Sequence, residues 1–189
     1  MSREESPEPI QFPFDERKSA AAAGYLLTLQ GGQMNYMRLL KLLYLADRKS
    51  LASLERPITG DTPVSMDRGP VLSCVYDLIK TSTPGGPWGD TIQRVSRYDV
   101  ALHNKPDLSP LSDAELEILR QAWDLCRAHD QFALSDMTHD FPEWEDPHGS
   151  SIPIPLEKIL AAFGKDEQAI ERVRQTAREQ RYFDKLFRD

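Results

Sequence analysis

Leu39-Leu40-Lys41-Leu42-Leu43-Tyr44-Leu45-Ala46-Asp47-Arg48 is the stretch whose reading decides the fold. Met37, Leu40, Tyr44 and Leu51 recur at helical spacing, and so do Leu39, Leu43 and Ala46. Two overlapping series make a wide apolar face. A helix from about Met34 to Leu54 therefore belongs at the centre of a core rather than on its surface. Upstream, Ala20 to Ala23 and Tyr25-Leu26-Leu27 form a first helix, opened by Asp15 or Ser19 and ended by Gly31-Gly32.

Downstream, Arg56-Pro57-Ile58-Thr59-Gly60-Asp61-Thr62-Pro63 cannot continue a helix, because proline removes a donor and glycine loosens the backbone. Val64-Ser65-Met66 reads as a short extended piece. Arg68-Gly69-Pro70 turns into a third helix from Val71 to about Lys80, with Pro70 suited to its first turn. Thr81 to Gly89 holds three glycines and two prolines and reads as a loop. Ile92, Val95, Tyr98, Val100 and Leu102 suggest two short strands or a hairpin.

Leu111-Ser112-Asp113-Ala114-Glu115-Leu116 is the sharpest local signal. Ser112 with Glu115 makes a capping box, and Leu111 with Leu116 the matching hydrophobic staple, so a helix runs from there to about Ala128. A shorter helix starts near Ser135, and Pro142 and Pro147 break the chain soon after it. Leu156 to Phe163 is a short helix stopped by Gly164, and Asp166 caps a last amphipathic helix to about Phe187. The expected fold is mainly α: one domain of about seven helices with a small β hairpin or short strands between residues 62 and 103. Residues 1–14 read as a flexible lead-in, 15–165 as the helical domain, and 166–189 as a C-terminal helix that either packs on the domain or binds a partner.

Composition narrows the function. The 189 residues are 40% hydrophobic and 28% charged, which suits one globular domain. No run of about eighteen apolar residues occurs, and Met1-Ser2-Arg3-Glu4-Glu5 is not a secretory start, so a cytoplasmic protein without a membrane span is expected. A net charge of −7 repels phosphate backbones and makes direct nucleic-acid binding an unfavoured reading. Cys74 and Cys126 fall in apolar helical patterns and read as small buried hydrophobes. His103, His129, His139 and His148 are scattered, without the spacing of a metal site. There is no GxxxxGK[ST], GxGxxG or GxSxG. The acids of Glu143-Trp144-Glu145-Asp146 read as a solvated loop. No cofactor, metal or catalytic constellation is indicated.

The one basic cluster lies on the last helix, where Arg174, Arg178 and Arg181 share a face and Arg172 stands nearby. Ile170, Val173, Ala177, Phe183 and Leu186 form the other side. This is either a surface helix packed by its apolar stripe or a docking helix for an acidic surface or a second copy of the chain. Tyr182, Phe183 and Phe187 beside Arg178 and Arg181 have the mixture that interface hot spots favour. Arg68, at the Asp67-Arg68-Gly69-Pro70 turn, is a further candidate for partner contact.

The ordered set from Leu39 to Arg48, then Arg56-Pro57-Ile58-Thr59-Gly60-Asp61, Gly69-Pro70-Val71 and Val75-Tyr76-Asp77-Leu78, resembles the Panacea domain found in SocA-like antitoxins and phage-associated proteins. Leu108-Ser109, the helix around Leu111 to Leu119, and Leu134 to Asp140 followed by Trp144 agree with it, so the resemblance covers about residues 15–165. It implies a bacterial or prophage antitoxin that binds and neutralises a protein toxin encoded beside it. Some members are also thought to hand the toxin to an ATP-dependent protease, which makes a proteolytic adaptor the second reading and an uncharacterised enzyme the third. The lead-in is shorter than the DNA-binding segment that some members add. Tyr44, Asp47, Arg48, Thr59, Gly60, Asp61, Gly69, Pro70, Val71 and Tyr76 carry the motif and are expected to be structural, with an Asp47–Arg48 pair tying the central helix to the turn at Thr59-Gly60-Asp61. The toxin's identity and the oligomeric state stay open.

Overall fold

Asn35 caps the central helix through its side chain, which accepts the Met37 N–H at 3.0 Å. The structure is a computed structural model describing residues 8–81 and 85–188. In chain order, the first elements are α1 (Glu16–Gln30), β1 (Gln33–Asn35), α2 (Tyr36–Leu54), β2 (Pro63–Met66), β3 (Gly69–Leu72) and α3 (Ser73–Thr81). Then come α4 (Gly86–Thr91), β4 (Ile92–Arg94), β5 (Asp99–Leu102), α5 (Asp113–Cys126), α6 (Gln131–His139), β6 (Ile152–Pro153), α7 (Leu156–Ala162) and α8 (Glu167–Arg188).

The fold is mainly helical, as expected, with eight helices among the described residues instead of about seven. The additional one is α4, inside the stretch read as a loop. Pro87 suits its first turn and Trp88 buries its side chain, so one large apolar anchor outweighs the glycines. Residues 82–84 of that stretch lie outside the described residues.

Burial explains why α2 is the centre. Twelve of its nineteen residues are buried, on every side, and it packs against α1, α5, α6, α7 and β3. Ala20 to Ala23 on α1 are also buried, their small side chains letting the helix sit deep. Asp15, of the two candidates, is the α1 cap, accepting the Lys18 N–H at 2.9 Å.

Two small antiparallel sheets flank this helical body, with strand orders β1-β5-β4 and β3-β2-β6. The β4–β5 hairpin is where the sequence places it. β1 is not, because Met34 pairs with Val100 instead of opening α2, and the Tyr36 N–H donates to the Tyr98 carbonyl at 2.8 Å. A second difference concerns Val71 and Leu72, read as the start of a helix. They lie in β3, with Pro70 opposite Ser65, and α3 begins only at Ser73. The helix forms there because Asp61 accepts the N–H groups of Cys74 and Val75, at 3.0 and 2.9 Å, capping it from twelve or more residues away. Likewise α6 starts at Gln131 rather than near Ser135, since Asp130 accepts the Phe132 and Ala133 N–H groups. β6 has no counterpart in the sequence reading; it is held by pairing of Ser65 with Ile152.

The capping box at Ser112 and Glu115 is complete. Glu115 is buried, and beyond the cap it takes an ion pair from Lys18 of α1 at 2.5 Å. One carboxylate thus closes the helix end and joins two helices. Ser112→Ala should lower stability by about 1 kcal/mol, the usual loss for an N-cap. Glu115→Ala, which also strands Lys18, should cost about 3 kcal/mol. Urea unfolding of both variants checks the order.

Candidate partner-binding surfaces

Each polar residue within the buried run of α2, Leu39 to Asp47, needs a partner inside the protein. Asp47 accepts the Ile58 N–H at 2.9 Å, the Thr59 N–H at 3.1 Å and the Thr59 hydroxyl. Burial pushes its carboxyl up to about 7, against the pull of those Thr59 bonds. The Thr59 hydroxyl oxygen accepts the Asp61 N–H, and Asp61 caps α3. Gly60 has φ +68, and a Cβ there would lie 2.0 Å from the Pro13 carbonyl, so only glycine fits the turn. This motif is a buried polar staple joining α2, the turn and α3.

Arg48 takes no part in it. The expected Asp47–Arg48 pair is replaced by an ion pair between Arg48 and Glu143, whose carboxylate also accepts the Tyr44 hydroxyl at 2.7 Å. Burial and that carboxylate raise the Tyr44 hydroxyl above its ordinary value. The Arg48 guanidinium lies over the rings of both Phe141 and Phe163, 4.2 and 4.4 Å from their centroids. Glu143, expected in a solvated loop, is 2% exposed. Tyr44 and Arg48, one turn apart on the deeply packed part of α2, were the signal that a distant acid had to reach them.

Lys41 is fully buried, and its ammonium donates to the Pro70 carbonyl at 2.8 Å. A Cβ on Gly69, at φ +87, would lie 2.7 Å from that nitrogen. Burial pulls Lys41 down to about 7. Val71 is buried beside this contact, and Tyr76 is half-buried, stacked on Tyr36 with centroids 6.4 Å apart.

The basic face of α8 is paired with the protein's own carboxylates. Arg174, 4% exposed, donates to the Glu8 carbonyl at 2.8 Å and pairs with Glu157 and Glu171. Arg178 and Arg181 pair with the Glu8 carboxylate. These arginines clamp the segment before α1, where Ile10 and Phe12 are core residues, so residues 8–14 are packed and not a loose lead-in. Residues 1–7 of that expected lead-in lie outside the described residues.

The apolar stripe of α8 is inward only as far as Ala177; Phe183 and Leu186, expected to continue it, are exposed. Tyr182, Phe183, Leu186 and Phe187 stand out at 63, 55, 54 and 84% exposure. Their spacing puts all four on one side of the helix. Arg68 is exposed in the turn between β2 and β3. A groove of about 600 Å³ is a further apolar surface, with Leu45 and Ala52 of α2, Leu125 of α5, Met137 of α6 and Phe163 in its walls. Cys126 is buried and Cys74 half-buried; both are free thiols, pushed up to about 11 by burial. Among the described residues, no three His, Cys, Asp or Glu side chains converge as metal ligands, and no helix is long and apolar enough to cross a membrane.

The structure is thus a helical body with two exposed apolar surfaces among the described residues, the end of α8 and the groove between α2, α5 and α6. Residues 39–145 match the model of the family described as antitoxin SocA-like, Panacea domain, and the chain belongs to that family. The match lies inside the 15–165 span of the resemblance and includes Lys41, Tyr44, Asp47, Arg48, Asp61 and Glu143. Neither a curated protein nor a solved structure matches the chain.

Glu143→Ala leaves Arg48 and Tyr44 unpaired and should destabilise the protein by about 3–5 kcal/mol in denaturant unfolding. Lys41 has a distinct pH signature. Between about pH 7 and its ordinary 10.5, the unfolded chain holds a proton that the folded chain does not. Stability should therefore rise with pH across that window, and Lys41→Met should flatten the rise, as followed by thermal melts.

Proposed function

We propose that the protein is an antitoxin that neutralises a protein toxin by direct, stoichiometric binding. The observation that carries this reading is the run of Tyr182, Phe183, Leu186 and Phe187 displayed beyond the packed part of α8. Four large apolar side chains in water on one helix face form a patch that soluble chains rarely leave uncovered. Aromatic anchors beside charged groups are the composition of interface hot spots. Arg68, held out on the β2–β3 turn, is a second contact for the same kind of partner. Arg178 and Arg181 contribute indirectly, by fixing α8 on the Glu8 segment. Membership of the SocA-like Panacea family supports a toxin as the partner. The cytoplasm is the compartment in which such a pair would meet.

Phe183→Glu with Phe187→Glu, and separately Arg68→Glu, should leave the melting temperature nearly unchanged. The double variant should lose rescue of growth against the toxin encoded beside the gene and weaken its affinity by about a hundredfold. Toxin half-life should be the same with and without the protein; a shortened half-life would favour a proteolytic adaptor. If both variants rescue growth at the wild-type dose while Leu125→Glu does not, the toxin sits in the α2–α5–α6 groove and this placement fails.

A further inference from the structure

A second surface, built from other elements, has a chemistry of its own. The start of α2, the β4–β5 hairpin and α3 bring together Tyr36, Tyr76 and Tyr98 with Lys80, Arg94 and Arg97. The Tyr36 and Tyr76 rings stack at 6.4 Å with an interplanar angle of 23°. Arg94 lies over Tyr36 at 5.9 Å, Lys80 over Tyr76 at 4.4 Å and Arg97 over Tyr98 at 5.3 Å. The hydrogen bond from the Tyr36 N–H to the Tyr98 carbonyl makes the patch continuous. Tyr98 is 53% exposed, and both arginines and Lys80 are exposed.

Charge sets this patch apart. The chain carries −7, and its arginines elsewhere mostly face carboxylates, as Arg17, Arg48, Arg120, Arg172, Arg174, Arg178 and Arg181 do. Among the described residues, neither Arg94 nor Arg97 has an acid within ion-pairing distance. Arg94 donates instead to the carbonyls of Ser96 and Arg97, which stiffens the hairpin turn. Of the nearby acids, Asp77 pairs with Lys80, and Asp99 accepts the Ser96 hydroxyl. Arg94 is thus held in place by the turn and Arg97 lies over the Tyr98 ring, both without an ion-pair partner among the described residues.

We infer that this tyrosine–arginine patch is a docking site for an acidic segment of a partner protein. Complementary charge selects carboxylates, and arginine binds them through paired N–H donors. Ordered tyrosines supply contact area at little entropic cost, and both residue types concentrate at interface hot spots. Each ring already has a cation over one face, and Tyr36 and Tyr76 stack on one another. Hydroxyls, ring edges and guanidinium groups are therefore what the patch offers, which suits a protein segment better than stacked nucleobases. The inference stands on these residues and is independent of the α8 surface.

The test titrates the full chain with a fluorescent peptide of alternating glutamate and leucine, a lysine–leucine control and an oligouridylate, at salt of about 50 and 200 mM. The glutamate peptide should bind, weaken with salt, and perturb amide resonances of Tyr36, Tyr98 and their neighbours. Arg97→Glu and Tyr98→Ala should each reduce its affinity by about tenfold. Lys105→Glu, an exposed charge change beyond the other end of β5, should leave it unaltered. Arg94→Glu is the weaker probe, because it also unties the turn. No binding at the lower salt, or binding indifferent to both Arg97→Glu and Tyr98→Ala, would overturn the inference. Tighter binding of the oligouridylate would do the same and make the patch a nucleic-acid site.

Discussion

Burial of α2 on every side is the constraint on which the rest of the structure depends. An amphipathic helix can turn its polar residues to water; from Leu39 to Asp47 this one cannot, so Lys41, Tyr44 and Asp47, with Arg48 next to them, each recruit a partner from elsewhere in the chain. Asp47 draws in the Thr59 turn, Lys41 the β3 backbone, and Arg48 with Tyr44 the acid at Glu143. Those connections fix where the turn, the β2–β3 hairpin and the α6–β6 segment lie. The motif that carries the family resemblance is therefore the set of buried polar contacts that makes one arrangement of helices satisfy every group. Removing one partner leaves the other unsatisfied at its own desolvation cost, which explains why such residues act as a unit.

Charge is used differently on α8 and on the β4–β5 hairpin. On α8, arginines that look like a docking stripe are consumed internally by Glu8, Glu157 and Glu171. Those contacts hold the segment before α1 against the domain and buttress the helix base. On the β4–β5 hairpin, by contrast, Arg94 is ordered by carbonyls and the Tyr36 ring, Arg97 lies over Tyr98, and neither pairs with a carboxylate among the described residues. An ordered but uncompensated cation suits recognition, because little freedom is lost when a carboxylate arrives. The apolar end of α8 and the cationic hairpin are thus chemically unlike surfaces.

The groove beside Arg48 links scaffold and surface. Phe141 and Phe163, whose rings both contact the guanidinium, also form part of its wall, so the Arg48–Glu143 ion pair lies directly behind the groove's aromatic edge. Stability of the network and shape of the groove are in this way one property.

Sequence alone determined what depends on neighbours along the chain. Helical spacing from Leu39 to Leu51, the Ser112–Glu115 cap and the Gly31 stop concern residues a few positions apart, and their physics is complete within one or two turns. The aromatic character of the α8 end was legible for the same reason. Tertiary structure decided whatever needs a partner far away. β1 and β6 exist only because strands elsewhere accept them, and Val71 is strand because β2 lies alongside. Arg174 is buried because Glu8, 166 residues distant, folds back onto it. Glu143 and Asp47 lie at opposite ends of this scale. Asp47 meets a turn eleven residues on and could be guessed; Glu143 reaches Tyr44 across 99 residues, and only the packed helices bring the two together.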